Sequence, residues 1–248
     1  MTAGGERLQN LLARAGIASR RGSAALVESG AVTVDGLVVR EPGARFGESA
    51  DIRVNGRPLA ATVRKRTIVL NKPVGVLSTM RDPFGGKTVA DIVKTPERLV
   101  PVGRLDRDSE GLLLFTNDGD MAQFLTHPSH QVEKTYVVDC DGVLTEARIR
   151  KMLSGVEDEG ELLRALKVTK MREKPGKVMF EVVLGEGHKR EIRRMCAKVG
   201  LNVVRLARTK FAGIELGTLP TGEWRCLADG EVEALKKCMV KMAGGRSK

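Results

Sequence analysis

The chain of 248 residues is long enough for one large domain or for a small domain beside a medium one. Hydrophobic residues make up 42% and charged residues 29%, which excludes general disorder because enough apolar surface is available to bury a core. The formal charge of +11 favours nucleic acid as the partner class, although solvated basic residues that only keep a protein in solution would give the same excess.

The sequence also argues against zinc sites and membrane spans. Its four cysteines are widely separated and form no C-x-x-C pair that could hold zinc, so we expect ordinary reduced thiols. Residues 1–30 contain no apolar run long enough for a secretion signal, and no stretch approaches the roughly 20 apolar residues of a membrane helix. We therefore expect a cytoplasmic protein with no membrane association.

Helix and turn signals alternate along the first 60 residues. A first helix is predicted by apolar residues at i, i+3, i+4 and i+7, which are Leu8, Leu11, Leu12 and Ala15. Ser19 can cap a second helix over residues 20–29. Residues 31–40 then predict a hairpin with Asp35 and Gly36 at its turn, and residues 51–54 predict a further strand.

The basic character of this first region carries a family resemblance. The segment RLQNLLARAGIASRRGSAALVESGAVTVDG resembles the alpha-L RNA-binding motif, first described in a small-subunit ribosomal protein. The resemblance covers about residues 5–60 and implies an RNA-binding domain with contacts from Arg7, Arg20 and Arg21. On its residues alone, the segment also fits any small basic helical hairpin. Residues 61–67 lack periodicity and predict a linker.

Strand-like and helix-like runs alternate from residue 68 onward. Strands are predicted near residues 68–71, 112–116, 135–140, 165–171 and 178–184, and helices near residues 88–93, 120–125, 146–153 and 189–199. The turn at Pro175 and Gly176 joins two of these strands as a hairpin, which favours a largely antiparallel sheet. The sequence therefore predicts a second, α+β domain over residues 68–240, followed by a frayed basic tail at 241–248.

The stretch VGRLDRDSEGLLLFTNDGD, residues 102–120, concentrates charge before an apolar strand. Asp106 lies between Arg104 and Arg107, whose charges favour the ionised carboxylate that a nucleophile requires. A salt-bridge role explains the same residues equally well. A calcium loop beginning at Asp106 would need glutamate at its twelfth position, which is Asn117. A glycosidase acid of raised pKa is disfavoured by the surrounding arginines.

The segment GRLDRDSEGLLLFTNDG is similar to the catalytic signature of the pseudouridine synthases that act on ribosomal RNA, in the branch that also carries an N-terminal alpha-L motif. This resemblance implies that Asp106 is the essential catalytic residue. LNKPVGVLSTMRDP at 70–83 and HPSHQVEKTYVV at 127–138 resemble, in family order, the opening of the catalytic domain and the segment with the active-site tyrosine, here Tyr136. Without the family, Tyr136 would be interpreted as a core aromatic.

The segment EGHKREIRRMCAKVG, residues 186–200, belongs to a region of concentrated positive charge. Eight lysines and arginines lie between residues 185 and 210, which predicts phosphate binding. The resemblance places an arginine beside the catalytic aspartate, at Arg193, although Arg194 could be confused with it. The candidate RNA-contacting residues of the second domain are Lys72, Arg104, Lys189, Arg190 and Arg194.

The resemblance implies isomerisation of a uridine in ribosomal RNA, with the target base flipped out of its helix or loop and with no cofactor or metal. The residues around Tyr136 and Asp82-Pro83 resemble the family members that act on large-subunit RNA more than the small-subunit enzyme, which implies a large-subunit substrate. The expected partner is ribosomal RNA or a precursor ribosomal particle, and we expect a monomer. One alternative is a non-catalytic RNA-binding protein of ribosome assembly that keeps the fold. Another is a hydrolase, which would release free uracil.

Overall fold

The structure, a computed structural model, describes residues 5–47, 49–59 and 64–244 and divides into two compact units. The smaller unit comprises the described residues up to Arg66 together with the short segments Pro96–Arg98 and Asn117–Gly119. The remaining described residues form the larger unit. Of the predicted linker and tail, residues 61–63 and 245–248 lie outside the described residues, so those boundaries stay a prediction.

The described residues of the smaller unit form two helices and six short strands. The helices are α1 (Leu8–Arg14) and α2 (Arg20–Glu28). The strands are β1 (Glu6–Arg7), β2 (Val32–Val34), β3 (Leu37–Val38), β4 (Arg45–Phe46), β5 (Ile52–Val54) and β6 (Arg57–Pro58). An antiparallel sheet has the order β3-β2-β5-β6, and β1 pairs with β4.

Local signals account for this unit. The Ser19 hydroxyl accepts a hydrogen bond from the Gly22 N–H at 3.0 Å and so begins α2. Asp35 and Gly36 have φ of 49° and 81°, which is the left-handed backbone of the tight turn between β2 and β3. Leu8 and Leu12 of α1 are fully buried in the core of the unit. The predicted helices and hairpin are therefore confirmed.

The larger unit is built on a nine-stranded sheet. Its strands are β7 (Thr67–Lys72), β8 (Val100–Val102), β9 (Glu110–Thr116), β10 (Lys134–Asp141), β13 (Lys167–Lys174), β14 (Lys177–Leu184), β15 (Asn202–Phe211), β16 (Ile214–Glu215) and β17 (Trp224–Cys226). A separate pair consists of β11 (Val156–Asp158) and β12 (Glu161–Leu163). The helices are α3 (Gly119–Thr126), α4 (Glu146–Ser154), α5 (Glu191–Lys198) and α6 (Asp229–Gly244).

The sheet has the order β13-β14-β10-β15-β9-β7-β17, with β16 paired to β15 and β8 paired to β9. Its described pairs are antiparallel, except that β9 and β15 run parallel. The larger unit is therefore the α+β, largely antiparallel domain that the sequence predicted. The turn at Pro175 and Gly176 does join β13 to β14.

Both faces of the sheet are covered at β9, so this strand is buried from Gly111 to Thr116. Along β9, Leu113 and Phe115 pack into one core, while Leu112 and Leu114 pack into the core on the other face. Helices α4 and α5 contribute to the first core, and α3 and α6 contribute to the second. This double burial places β9, and the loop that precedes it, at the centre of the unit.

Several elements of the larger unit were not predicted, among them the short strands β8, β11, β12, β16 and β17, and one prediction was wrong. The ten-residue strand β15 and the sixteen-residue helix α6 have no counterpart in the sequence analysis. Residues 241–244 belong to α6, so the described part of the expected frayed tail is helical. Within the described ranges, no helix is both long and apolar enough to cross a membrane.

Candidate active site

The loop that carries Asp106 connects β8 to β9 and is held in place by main-chain contacts on both sides. The Ser78 hydroxyl donates to the Leu105 carbonyl at 2.7 Å and accepts from the Leu105 N–H at 3.1 Å. The Gly75 N–H donates to the Arg107 carbonyl at 2.7 Å. The Asp106 carbonyl accepts from the Ser109 N–H at 3.1 Å. The backbone position of Asp106 is thus fixed independently of its own carboxyl group.

Asp106 lines a cavity of about 500 Å³, a volume within the usual range for small-ligand sites. Tyr136 from β10 lines the same cavity. The other lining residues come from the Asp106 loop, from the end of β14, from the middle of β15, and from the segment around the start of α5. They are Arg104, Leu105, Ser109, Leu184, Gly187, His188, Lys189, Arg190, Glu191, Ile192 and Leu206. The structure therefore brings the two residues Asp106 and Tyr136 together, although 30 positions separate them in the sequence.

Arg208 lies over the face of the Tyr136 ring and was not predicted to be a site residue. Its side chain is only 2% exposed, and its Nε donates to the Leu112 carbonyl at 2.7 Å. Its guanidinium carbon lies 6.0 Å from the centroid of the Tyr136 ring and 5.0 Å from that of Phe211, which are cation–π distances. Arg208 is one of the eight basic residues between 185 and 210 that were predicted to bind phosphate. Its burial excludes that role and makes it a support for Tyr136.

Arg193 does not form the expected direct ion pair with Asp106. Its Nε lies 3.2 Å from Oδ2 of Asp108, and its Nη2 donates to the Asp108 carbonyl at 2.8 Å. Arg190 donates to both carboxylate oxygens of Asp108, at 3.1 and 3.0 Å. Asp108 is therefore a further site residue, which was not predicted from the sequence. The spacing of Asp106 and Asp108 in RLDRDSEG was the feature that could have indicated it.

The charge balance around Asp108 favours the carboxylate. Desolvation opposes ionisation, but hydrogen bonds from Arg190 and the charge of Arg193 outweigh it and lower the pKa of Asp108. The positive charge of Arg190 also interacts with Asp106. Asp108 thus holds Arg190 and Arg193, and Arg193 contacts the Asp106 loop at Asp108.

Arg194 is separate from this group, and its prediction as an RNA-contacting residue is corrected. Its Nε lies 2.6 Å from Asp158, a second nitrogen contacts Glu161, and the side chain is 16% exposed. Most of the other basic residues between 185 and 210 are likewise engaged, in ion pairs with Asp108, Asp158, Glu110 or Glu215. Among the basic residues between 185 and 210, all of which the structure describes, Lys189 is the one whose side chain has no ion pair or hydrogen bond.

Lys72 was also predicted to contact RNA, and its burial contradicts this. The side chain is 0% exposed, and its Nζ donates to the carbonyls of Ser109 at 2.7 Å and Pro73 at 2.9 Å. Burial lowers its pKa to about 8, although the carboxylates of Asp106, Asp108 and Glu110 act in the opposite direction. Lys72 therefore anchors the Asp106 loop through the Ser109 carbonyl, and its burial keeps it from reaching a phosphate group.

The lowered pKa of Lys72 predicts a pH-dependent stability. The folded protein releases this proton near pH 8 and the unfolded chain near 10.5, so between those values the unfolded state binds more protons and stability rises with pH. Relative to Lys72→Met, the wild-type free energy of unfolding should therefore increase by about 3 kcal/mol across this window. Urea unfolding at pH 7.5, 9 and 10 measures the difference.

Lys94→Met is the matched control because Lys94 is exposed, and its removal should leave the pH profile of the wild type unchanged. Parallel profiles for wild type and Lys72→Met would show that Lys72 has an ordinary pKa and would contradict the buried cation.

The segment around the start of α5, which also lines the cavity, carries a second set of titratable groups. His188 lies between Glu186 and Glu161, with its ring nitrogens 2.7 and 3.0 Å from their carboxylates. Desolvation would lower the pKa of His188, but these two hydrogen bonds outweigh it and raise the pKa. Glu191, which accepts the His188 N–H at 3.0 Å, is buried, and desolvation raises its pKa. These contacts hold in place the segment that presents Lys189 and Arg190 to the cavity.

The remaining RNA-contacting candidates are exposed. In the larger unit, Arg104 and Lys189 both line the cavity and face solvent. In the smaller unit, Arg7 precedes α1, and Arg20 and Arg21 begin α2; all three are exposed and have no ion-pair partner among the described residues. Exposed, unpaired guanidinium groups are available to phosphate. Arg190 is also exposed, but its guanidinium is held by Asp108.

Comparison with known proteins gives consistent results. The family model described as RNA pseudouridylate synthase matches residues 66–198, and the S4 domain model matches residues 6–52. Ribosomal large subunit pseudouridine synthase B of Bacillus subtilis is 39% identical over 236 residues, covering 93% of this chain and 96% of the relative. An uncharacterized RNA pseudouridine synthase of Aquifex aeolicus is 37% identical, with 94% of each chain covered. A crystal structure of a pseudouridylate synthase superposes with a TM-score of 0.67 at 27% identity, covering 92% of this chain and 99% of that one.

Proposed function

This chain belongs to the RNA pseudouridylate synthase family, and on that premise we propose that it isomerises a specific uridine of ribosomal RNA, with Asp106 as the nucleophile. The observation that carries the proposal is the position of Asp106. Asp106 lines a cavity together with Tyr136, on a loop whose backbone is fixed by Ser78, Gly75 and Lys72. A nucleophile needs this kind of preorganised position beside its substrate.

The proposed reaction takes place on a uridine extruded from the RNA into the cavity. The bond from N1 of the base to C1′ of the ribose breaks, and a bond from C5 to C1′ forms. The proton on C5 is lost and N1 gains one, so the product has the same atoms as the substrate. Asp106 attacks the uridine to form a transient covalent bond, and this bond breaks again before the product leaves, so the carboxylate is regenerated. The Tyr136 ring, supported by Arg208, stacks on the base. Arg104 and Lys189 contact the flanking phosphates.

Ribosomal RNA of the large subunit is the proposed substrate, as free RNA or within a precursor particle. The name of the Bacillus subtilis relative supports this choice, because that alignment spans nearly the full length of both proteins. We expect the enzyme to act as a monomer in the cytoplasm and to need neither cofactor nor metal. The proposed residues suffice for an isomerisation without net redox change.

The direct test is to incubate the protein with unmodified transcripts of large- and small-subunit ribosomal RNA. Pseudouridine is then mapped by carbodiimide labelling and primer extension. A new stop at one uridine of the large-subunit RNA is the expected result. A stop confined to the small-subunit RNA would overturn the choice of substrate, and release of free uracil would indicate a hydrolase.

The smaller unit is proposed to dock the enzyme on RNA through phosphate contacts. Changing Arg7, Arg20 and Arg21 together to glutamine should reduce RNA affinity at least about tenfold near 0.1 M salt, because three phosphate contacts are lost. The slope of log affinity against log salt should fall by about 2, whereas the single-turnover rate at saturating protein should stay unchanged. Filter binding over a salt series measures the first two quantities.

Arg53→Gln is the matched control for these variants. Arg53 belongs to the same unit and is exposed, but its Nε is paired with Asp51 at 2.9 Å. It should therefore retain the affinity and salt slope of the wild type. An unchanged salt slope in the triple variant would mean that the smaller unit does not bind phosphate through these arginines.

A further inference from the structure

Phe84 is the most exposed large apolar side chain in the described chain. It is 94% exposed, whereas Phe115, Phe124, Phe180 and Phe211 are all buried. Single exposed apolar residues are common on protein surfaces and need no explanation by themselves. The position of Phe84, however, is defined by contacts that link it to the Asp106 loop.

The loop that carries Phe84 comprises residues 78–87 and is anchored at both ends. At its base, the Leu77 N–H donates to the Lys87 carbonyl at 2.9 Å, and the Val89 N–H donates to the Leu77 carbonyl at 2.9 Å. Val76 and Val89 are buried in the same core as Leu105 and Tyr136. The first residue of the loop, Ser78, makes the two hydrogen bonds that fix Leu105 next to Asp106. The root of the 78–87 loop is thus bonded to the catalytic loop itself.

The tip of the loop is also ordered by a local contact. The Asp82 carboxylate accepts the Gly86 N–H at 2.7 Å, and this closes the turn at Pro83 and Phe84. A turn closed in this way fixes the backbone at Phe84 and so defines where its ring meets the solvent. A loop held in advance loses less entropy when it binds a ligand.

The charges around Phe84 suit a nucleic acid. Arg81 and Lys87 lie three positions before and after Phe84 in the same loop. Both are exposed and have no side-chain hydrogen bond or ion pair in the described part of the chain, although the charge of Lys87 also acts on Asp91. The carboxylate of Asp82 is occupied by the turn. An exposed aromatic ring with exposed cations on the same loop is a combination that binds single-stranded RNA, in which bases stack on the ring and phosphates contact the cations. The pair of cations favours RNA over an apolar protein partner.

The base bound by Phe84 would be different from the reacting one. None of residues 78–87 lines the cavity that holds Asp106 and Tyr136. We infer that Phe84 is a stacking platform for an unpaired nucleobase of the substrate RNA other than the reacting uridine. By binding that base, Phe84 helps to position the RNA next to the Asp106 loop. The inference rests on the proposed function for its substrate class.

Four variants of the full-length protein test this role. Phe84→Ala and Phe84→Leu should weaken binding of a large-subunit ribosomal RNA transcript and lower kcat/KM by at least about fivefold, because a base-stacking contact is lost. Phe84→Tyr keeps an aromatic ring and should stay within about twofold of the wild type. Val143→Ala is the control. Val143 is also an exposed apolar residue, but it follows the end of β10 opposite to Tyr136, and its replacement should have no effect.

Fluorescence gives a direct signature of stacking. The chain has one natural tryptophan, so Phe84→Trp adds one reporter, whose emission a stacked base should quench beyond the change seen in the wild type. The inference is overturned if the alanine variant keeps wild-type affinity and kcat/KM. It is also overturned if leucine replaces phenylalanine without loss, since the contact would then be merely apolar, as with a protein partner.

The two proposals fail in different ways. If the wild type makes no pseudouridine but Phe84→Ala weakens RNA binding and Phe84→Trp is quenched, the stacking role stands and the proposed reaction is wrong. If the wild type modifies the RNA and the Phe84 variants match it in affinity and kcat/KM, the reaction stands and the stacking role is wrong.

Discussion

Asp106→Asn is expected to lower the single-turnover rate of pseudouridine formation by at least about 10³-fold, because the amide has the shape of the carboxylate but cannot act as the nucleophile. The loop should keep its conformation, since main-chain contacts of Leu105 and Ser109 fix it without the Asp106 side chain. RNA affinity should therefore remain within about threefold of the wild type. Rapid mixing with excess enzyme, followed by carbodiimide mapping, measures the rate, and filter binding measures the affinity.

Asp141→Asn is the matched control for this variant. Asp141 lies at the end of β10 remote from Tyr136, and its carboxylate accepts a hydrogen bond from Asn202 at 3.2 Å. This substitution should leave the rate unchanged. An Asp106→Asn protein with the wild-type rate would remove Asp106 from the mechanism. A variant that loses RNA affinity in proportion to activity would assign Asp106 to binding instead.

Among glycine-to-alanine substitutions in the larger unit, Gly111→Ala is expected to be the most destabilising. Gly111 has φ of 99°, and a Cβ there would lie 2.3 Å from the Arg208 carbonyl oxygen and 2.9 Å from the Arg208 nitrogen. Both atoms belong to the backbone of β15 and cannot rotate away. The parallel pairing of β9 with β15 consists of the two register pairs Glu110–Ala207 and Gly111–Arg208, so the clash falls on half of it.

The cost should exceed about 3 kcal/mol, because the steric clash adds to the strain of a non-glycine residue at this φ. Activity should fall as well, since β9 follows the Asp106 loop and Arg208 supports Tyr136. Urea unfolding monitored by circular dichroism measures the stability, and the mapping assay measures the activity.

Gly176→Ala separates backbone strain from the clash. Gly176 also has a positive φ, 71°, but a Cβ there would meet nothing within 4 Å. Its cost should be limited to the strain of a left-handed residue, about 1 kcal/mol. Equal losses in the free energy of unfolding for the two variants would show that a Cβ at position 111 does not clash with the backbone of β15.

Sequence periodicity and capping were sufficient for several elements. The apolar spacing from Leu8 and the Ser19 cap predicted α1 and α2, and the turn at Asp35 predicted the hairpin between β2 and β3. These signals act between residues a few positions apart, so the chain carries them locally. The same applies to β9, whose four consecutive apolar residues indicated burial on both faces.

Strand β15 was not predictable in this way. Its sequence NVVRLARTKF mixes basic and apolar residues, and its positive charges predicted phosphate contacts. In the structure, Arg208 is buried because the Leu112 carbonyl and the rings of Tyr136 and Phe211 surround its guanidinium. Leu112 and Tyr136 belong to other strands, β9 and β10, and a buried cation is tolerated only when such partners are present. Lys72 is buried for the same reason.

By itself, the sequence determined the order of the two domains, the family, and the motif residues Asp106 and Tyr136, because each depends on residues close together in the chain. The tertiary structure alone decided which charges meet: Arg193 with Asp108, Arg194 with Asp158, and Lys72 with the carbonyls behind the loop. Whether a basic side chain binds RNA or stabilises the fold depends on its burial and on neighbours from distant segments. Only the pairing of the strands brings those segments together.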